Sequence, residues 1–311
     1  MTVSDLHHAP IRLASRASKL ALAQAEEVQG QLPSATIVTF STKGDEVLDR
    51  PLADIGGKGL FVKTLERAML SGEADAAVHS GKDMETHYAE GTTIAAFLKR
   101  ADRRDALIGP YARFDDLPPN AVIGTASVRR AAMIKSIRPD ITTKLLRGNV
   151  NSRLKQLADG HYDAIILAMA GMERLGFHDQ IHPIPEDVML PAAAQGAIAI
   201  QTLDDDGSAR RQTILDQLSG LNHSDTAIEV TAERALLDQL DGTCQTPIGA
   251  SAYFADGYVR LTAQLLSPNG EQVFTTSDKA QASDADRLGR DLADRLLDMA
   301  GGRDFLDPQP R

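Results

Sequence analysis

Short apolar runs alternate with segments of helical period over the first two-thirds of this chain. That alternation restricts it to mostly parallel sheets covered by helices. Residues 11–14 read as a buried strand, after which Ala17, Leu20, Ala21, Ala25, Val28 and Leu32 recur at helical spacing. Residues 36–41 form a second strand, 60–70 a helix, and 74–78 and 93–97 further apolar runs. A charged connector, 99–105, precedes a second series: strand 122–125, helix 127–137, strand 142–146, helix 149–158 and strand 163–168. The acidic stretch 203–208 leads to helices at 209–218 and 225–240. The pattern then changes to strands at 250–254, 258–266 and 271–276, closed by a helix at 285–300. The fold expected is α/β, with two lobes followed by a small α+β domain.

Composition narrows the chemistry. One cysteine in 311 residues, Cys244, excludes an internal disulfide framework and a cysteine-rich metal site, so no metal is expected. The formal charge of -10 repels nucleic acid on average, and an anionic ligand has to be drawn in by a local concentration of Lys and Arg. No apolar run is long enough to span a bilayer, and residues 1–10 lack the basic start and apolar core of a secretory signal. The expected partner is therefore neither nucleic acid nor membrane, and the expected compartment is the cytoplasm.

The basic residues are informative in their placement. Three strand-to-helix junctions carry them: Arg16 with Lys19, Arg129 with Arg130, and Arg147 with Arg153. A helix start already presents unpaired N–H groups and positive potential, so a cation there costs a few tenths to about 1 kcal/mol unless an anion is bound. Ser18, Ser127 and Asn149 or Asn151 are placed to cap the same helices. The pattern points to a ligand with several carboxylates or phosphates, and arginine favours planar recognition of carboxylate. Gly56, Gly57, Lys58 and Gly59 form a basic glycine-rich loop without the spacing of a P-loop, which suits a mobile lid. In His79-Ser80-Gly81-Lys82-Asp83, polar residues follow a buried strand at the end where α/β folds place ligands. Asp83 there is a carboxylate among cations, suited to balancing a cationic intermediate.

Taken together, these segments resemble the porphobilinogen deaminase family over nearly the whole chain. The resemblance is carried by 13–24 (LASRASKLALAQ), 56–63 (GGKGLFVK), 79–83 (HSGKD), 124–130 (GTASVRR), 146–153 (LRGNVNSR), 163–176 (DAIILAMAGMERLG), 190–197 (LPAAAQGA) and 242–249 (GTCQTPIG). It implies two lobes built like a periplasmic binding protein, with domain 1 at 1–101 and 198–219, domain 2 at 102–197, and an α+β domain 3 at 220–311 carrying the cofactor cysteine. It also implies a cytoplasmic, monomeric transferase of tetrapyrrole biosynthesis that deaminates four porphobilinogen molecules and joins them head to tail into hydroxymethylbilane. The implied cofactor is a dipyrromethane held by a thioether to Cys244.

By the same resemblance Asp83 is catalytic, and Ser80, Lys82, Asp83, Ser127, Arg129, Arg130 and Arg147 contact the cofactor. Arg16, Ser18, Arg147, Arg153, Gln195 and Arg174 contact substrate carboxylates, and Lys58 and Gly59 belong to the lid. The chain departs from the family pattern at Gly81, Met84 and Glu85, where a larger apolar residue and proline are common. Ala126 stands for serine, Ser152 for threonine, Ala193 and Ala194 for a Val-Gly pair, and Asp241 and Thr243 for residues often glycine. The alternative from another class is a two-lobed anion-binding protein without catalysis.

Overall fold

Strand β1 (Arg12–Arg16) turns into helix α1 (Lys19–Gln31) at Ser18, whose hydroxyl accepts a hydrogen bond from the Ala21 amide and satisfies one of the helix's unpaired N–H groups. The computed structural model describes residues 10–41, 62–240 and 246–306. Strand β2 (Thr36–Phe40), α2 (Val62–Leu70), β3 (Ala76–Ser80) and β4 (Thr92–Phe97) follow. Next come β5 (Asp105–Ile108), β6 (Val122–Gly124), α3 (Val128–Ile137), β7 (Thr142–Lys144), α4 (Val150–Ala158), β8 (Ala164–Ala168), α5 (Met169–Arg174) and β9 (Ile181–Pro183). Strand β10 (Ile198–Leu203), α6 (Ala209–Ser219) and α7 (Ser224–Gln239) lead to β11 (Ile248–Ala255), β12 (Tyr258–Leu266), β13 (Val273–Gln281) and α8 (Ala285–Ala300). Two compact units result, one from the described residues within 1–47, 59–101 and 197–227, the other from those within 48–58, 102–196 and 228–311.

The first unit is an α/β lobe around a five-stranded sheet of order β2-β1-β3-β10-β4. Strand β1 runs parallel to β2 and β3, while β10 is antiparallel to β3 and β4. Alternation along each strand divides the core: Leu13, Ala76, Val78, Ile198 and Ile200 pack with Ala25 and Val28 of α1 and Ile214 and Leu218 of α6. Ala14 and Ala77 point the other way, against Leu65, Ala68 and Met69 of α2. That second face also holds buried polar groups. Glu66 of α2 accepts from the Ala89 amide at 3.1 Å and from Gln201 Nε2 at 2.9 Å. His79, two residues beyond Ala77, is 6% exposed.

In the second unit a five-stranded sheet of order β7-β6-β8-β5-β9 repeats the plan of the first, with β6 parallel to β7 and β8 and β5 antiparallel to β8 and β9. The C-terminal α+β part is the antiparallel sheet β11-β12-β13. Val259, Leu261, Ala263 and Leu265 of β12 line its inner face and meet Leu288, Leu292 and Leu296 of α8 and Leu236 of α7. Each fully buried leucine contributes roughly 1.5–3 kcal/mol, which makes one helix face enough to cover a small sheet. The C-terminal part packs on the lobe of its own unit so closely that a Cβ on Gly249 would stand 2.7 Å from Met133 Cε and 2.8 Å from Leu190 Cβ.

Buried charge makes the same join. Glu233 of α7 has no exposed surface and accepts from the amides of Ala194 at 2.6 Å and Ala252 at 2.8 Å. Arg103 pairs with Glu229 at 2.7 Å, donates to the Ala252 carbonyl, and lies 4.0 Å above the Tyr253 ring. Arg103 also lies 3.9 Å from Glu233, so loss of Arg103 leaves two buried carboxylates without that cation, the costly case for buried charge.

The structure corrects the sequence reading in three places. Residue 105 ends no connector; it opens β5, an internal strand of its sheet. The sheets are mixed, because β5 and β10 enter antiparallel as the chain passes into one unit and back into the other. Strand β13 continues to Gln281 through the polar residues Asp278 and Lys279, an edge strand whose charges guard it against further pairing.

Two expected outcomes follow from burial and backbone. Burial, helped by the charge of Arg16 and opposed by Gln201, pushes the His79 imidazole down from 6.5 to about 4. The unfolded chain therefore binds a proton that the folded chain refuses, and stability complete above pH 6.5 is lost as pH falls toward 4. Urea unfolding from pH 7.5 down to 4.5 should show the wild type losing about 2.5 kcal/mol more than His79→Gln; parallel pH curves would contradict this. Ala194 is held at φ 57 by its bond to Glu233, where the family pattern has glycine. Ala194→Gly should raise unfolding stability by about 0.5–1 kcal/mol, since a left-handed alanine costs more than the chain entropy glycine loses. A lowered denaturant midpoint would contradict it.

Candidate carboxylate-binding site

Parallel pairing sets the first of two groups of candidate residues. In the first unit β1 and β3 run side by side with Leu13 opposite Ala76 and Ala14 opposite Ala77, so Arg16 and Ser80 end neighbouring strands at the same sheet edge. Arg16 is half-buried, and Ser18 caps the helix that follows. Ser80 donates from its hydroxyl to Gln24 Oε1 of α1 at 3.0 Å. The chain then makes a 3-10 turn, Gly81–Asp83, tied to the start of β10 by the Gly81 amide on the Ala197 carbonyl at 2.9 Å. The turn buries Gly81 and, just after it, Met84, while Lys82 and Asp83 face solvent. A short polar turn between a buried strand and a buried methionine holds the Asp83 backbone and leaves its carboxylate accessible.

A separate group lies in the second unit, where β6 and β7 are parallel and Gly124 is opposite Lys144. Helix α3 starts at Ser127, which accepts from the Arg130 amide at 3.4 Å, and α4 starts at Asn149, which accepts from the Ser152 amide at 3.0 Å. The cap of α4 is thus Asn149 and not Asn151. Gly148 sits at φ +104, where a Cβ would come within 2.1 Å of Ser152 Oγ, so only glycine lets the turn close. The closed turn brings Arg153 Nε to the Gly148 carbonyl at 2.8 Å, and Gln156 Nε2 to the Arg147 carbonyl at 3.0 Å. Arg147 and Arg153, both half-buried, are thereby gathered at one helix start.

Arg129 and Arg130 are buried, at 4% and 6% exposure, and both turn onto Asp105, which has none. Arg130 donates to Asp105 Oδ1 from Nε at 3.1 Å and Nη2 at 2.7 Å, and to the Ile166 carbonyl from Nη1 at 2.9 Å. Arg129 approaches Oδ2 at 2.8 Å through Nη2 and donates from Nη1 to the Leu190 carbonyl at 2.5 Å. Gln195, 1% exposed, donates to Oδ1 at 2.8 Å and to the Arg103 carbonyl at 2.8 Å. Burial by itself would raise the Asp105 carboxyl, but the two guanidiniums and Gln195 outweigh it and hold the group well below the ordinary carboxylate range. Burial pulls Arg129 below its ordinary value, with Asp105 opposing. Arginine nevertheless stays charged at any working pH.

The sequence reading thus finds several of its candidates together. Arg129, Arg130, Gln195 and the cap Ser127 form one cluster, and Arg147 with Arg153 a second. Arg174 donates to the Gly196 carbonyl, beside Gln195, at 3.2 Å. Arg16, Ser18, Ser80, Lys82 and Asp83 belong to the first unit. Lys58, Gly59 and Cys244 lie outside the described residues. Among the described residues no cluster of His, Cys, Asp or Glu is arranged to hold a metal ion, and no helix is long and apolar enough to cross a membrane. Asp105 was missed. Its signal was an acid at the first position of the apolar run 105–108, directly after Arg103 and Arg104, where a charge entering a core needs a partner.

Comparison with known proteins places the chain in a family. Residues 11–211 match the family described as porphobilinogen deaminase, dipyromethane cofactor binding domain, and residues 227–298 match porphobilinogen deaminase, C-terminal domain. Among solved structures, a sulfate-bound OxyR2 regulatory domain from Vibrio vulnificus is 13% identical, covering 71% of this chain and 97% of that one, with a TM-score of 0.40. The periplasmic VFT2 domain of Bordetella pertussis BvgS is 13% identical over 73% of this chain and 93% of its own, with a TM-score of 0.37. The second substrate binding domain of a putative amino acid ABC transporter from Streptococcus pneumoniae is also 13% identical, over 68% and 93%, with a TM-score of 0.41. With both family domains matched in order across most of its length, the chain belongs to the porphobilinogen deaminase family.

Proposed function

We propose that the chain is a cytoplasmic, monomeric hydroxymethylbilane synthase, which deaminates four porphobilinogen molecules and joins them head to tail on a dipyrromethane primer attached to Cys244. The observation that carries this reading is the buried cationic surplus at the start of α3. Two guanidiniums face one carboxylate there, inside the segment matched to the cofactor-binding domain. A buried surplus of positive charge calls for an anion, and every ring of a dipyrromethane or of porphobilinogen carries an acetate and a propionate.

The residues present fit that group. Arg129 Nε is buried with no hydrogen-bond partner among the described residues, a donor kept out of water for which the protein supplies no acceptor. Arg129, Arg130, Arg147, Lys82, Ser80 and Ser127 would hold the primer's carboxylates, and Arg16, Ser18, Arg153, Gln195 and Arg174 those of the incoming units. A guanidinium–carboxylate hydrogen bond is worth roughly 1.5–3 kcal/mol, so several together bind a polycarboxylate strongly. When bound, the primer supplies the pyrrole end on which substrate units are added.

The catalytic part falls to Asp83. As ammonia leaves porphobilinogen its C–N bond breaks and positive charge develops on the ring, and a fixed carboxylate stabilises that charge without taking part in a bond. Non-catalytic anion binding, the alternative, gives Asp83 no task, and both matched domains are those of the deaminase family.

Asp83 is exposed, so its removal should spare the fold. Asp83→Ala should lower porphobilinogen consumption and ammonia release by about 10²-fold or more, with an unchanged circular dichroism spectrum. Activity within twofold of wild type would remove Asp83 from the mechanism.

A further inference from the structure

We propose that Asp105 is a positioning residue: an internal counter-anion that fixes Arg130 and presents Arg129, with one donor to spare, to a carboxylate of the bound group. The proposal rests on the reading that these arginines hold a carboxylate-bearing ligand, and it divides their work. Asp105 Oδ1 is saturated, taking two bonds from Arg130 and one from Gln195, and the third edge of Arg130 is spent on the Ile166 carbonyl. Arg130 is thereby locked.

Arg129 is placed differently. Its Nη2 lies 2.8 Å from Oδ2, but off the alignment of a good hydrogen bond, so this contact orients it less than the paired bonds orient Arg130. Nη1 is anchored on the Leu190 carbonyl, and Nε is buried with no partner among the described residues. One guanidinium has all three of its nitrogens engaged, while the other keeps a buried Nε without a partner among the described residues. Two positive charges against one negative leave a net positive charge for a ligand carboxylate to cancel.

The position of Asp105 explains why it can do this. It is the first residue of β5, paired with Ala168 of β8, and its carbonyl accepts from the Ile184 amide at 2.8 Å. Its backbone is pinned on both sides in the sheet beneath α3. Gln195 completes the link: the next residue back, Ala194, is bonded to Glu233 of α7, so the arginine pair is referenced to the C-terminal part within the same unit.

The test compares the full-length wild type with Asp105→Ala and Asp105→Asn, each prepared in sodium formate and in sodium chloride of equal ionic strength. Intact mass and melting temperature are read for each. In chloride, Asp105→Ala should carry the covalent group on at least tenfold fewer molecules than wild type and melt lower. Formate, a carboxylate small enough for the vacated space, should restore both, which a side chain acting only by filling space does not explain. Loading of Asp105→Ala at the wild-type level in chloride, or equal results in formate and chloride, would overturn the proposal. If Asp105→Ala fails to fold in either salt, Asp105→Asn decides: it keeps the shape and removes the charge, so a several-fold loss of loading supports the proposal and unchanged loading overturns it. A wild type at the bare polypeptide mass would sink the functional reading instead, and formate-specific stabilisation of Asp105→Ala would still test the role of Asp105.

Discussion

The interaction on which the second unit's arrangement depends is an electrostatic one in its interior. A carboxylate with no exposed surface sits between two guanidiniums and a carboxamide, and the helix, strand and loop that supply them are held at hydrogen-bonding distance by it. Charges this deep are costly unless matched. Here the match is nearly complete for Arg130 and incomplete for Arg129, and on the proposed reading an anion cancels the imbalance. Stability and the proposed binding then draw on the same few groups.

The scaffold makes this possible through the entry of one antiparallel strand into each five-stranded sheet. Strand β5 opens its lobe with Asp105, and β10 ends the return with Ile198 opposite Ser80, at the strand end that leads into the Asp83 turn. Each of these two strands thus ends beside residues of the proposed site. The buried helix α7 adds a second join, Glu233 gripping the loop that carries Gln195.

Much of this was readable from the chain. Helical period and short apolar runs gave the parallel strands, and serine or asparagine before a basic helix start gave the caps at Ser18, Ser127 and Asn149. The antiparallel strands were not readable, because a run as short as 105–108 has no flanking helix of its own and its pairing with 164–168 depends on contacts far along the sequence. Arg129 and Arg130 were visible as cations in the wrong place, but the acid that answers them lies about two dozen residues away and meets them only once β5 is inside the sheet. Ala194 is the converse case. Its departure from the family pattern was visible in sequence, and its left-handed backbone, held by Glu233, shows what glycine is for at that position.

The central claim is that a fixed set of cations holds a primer on which substrate units accumulate one at a time. Intact-mass measurement of the full chain before and after limiting porphobilinogen tests it most directly. The account predicts a starting mass above the bare polypeptide by two pyrrole units, discrete additions of up to four more, and a return to the starting mass on release. A chain that stays at the bare polypeptide mass while porphobilinogen is consumed would contradict it.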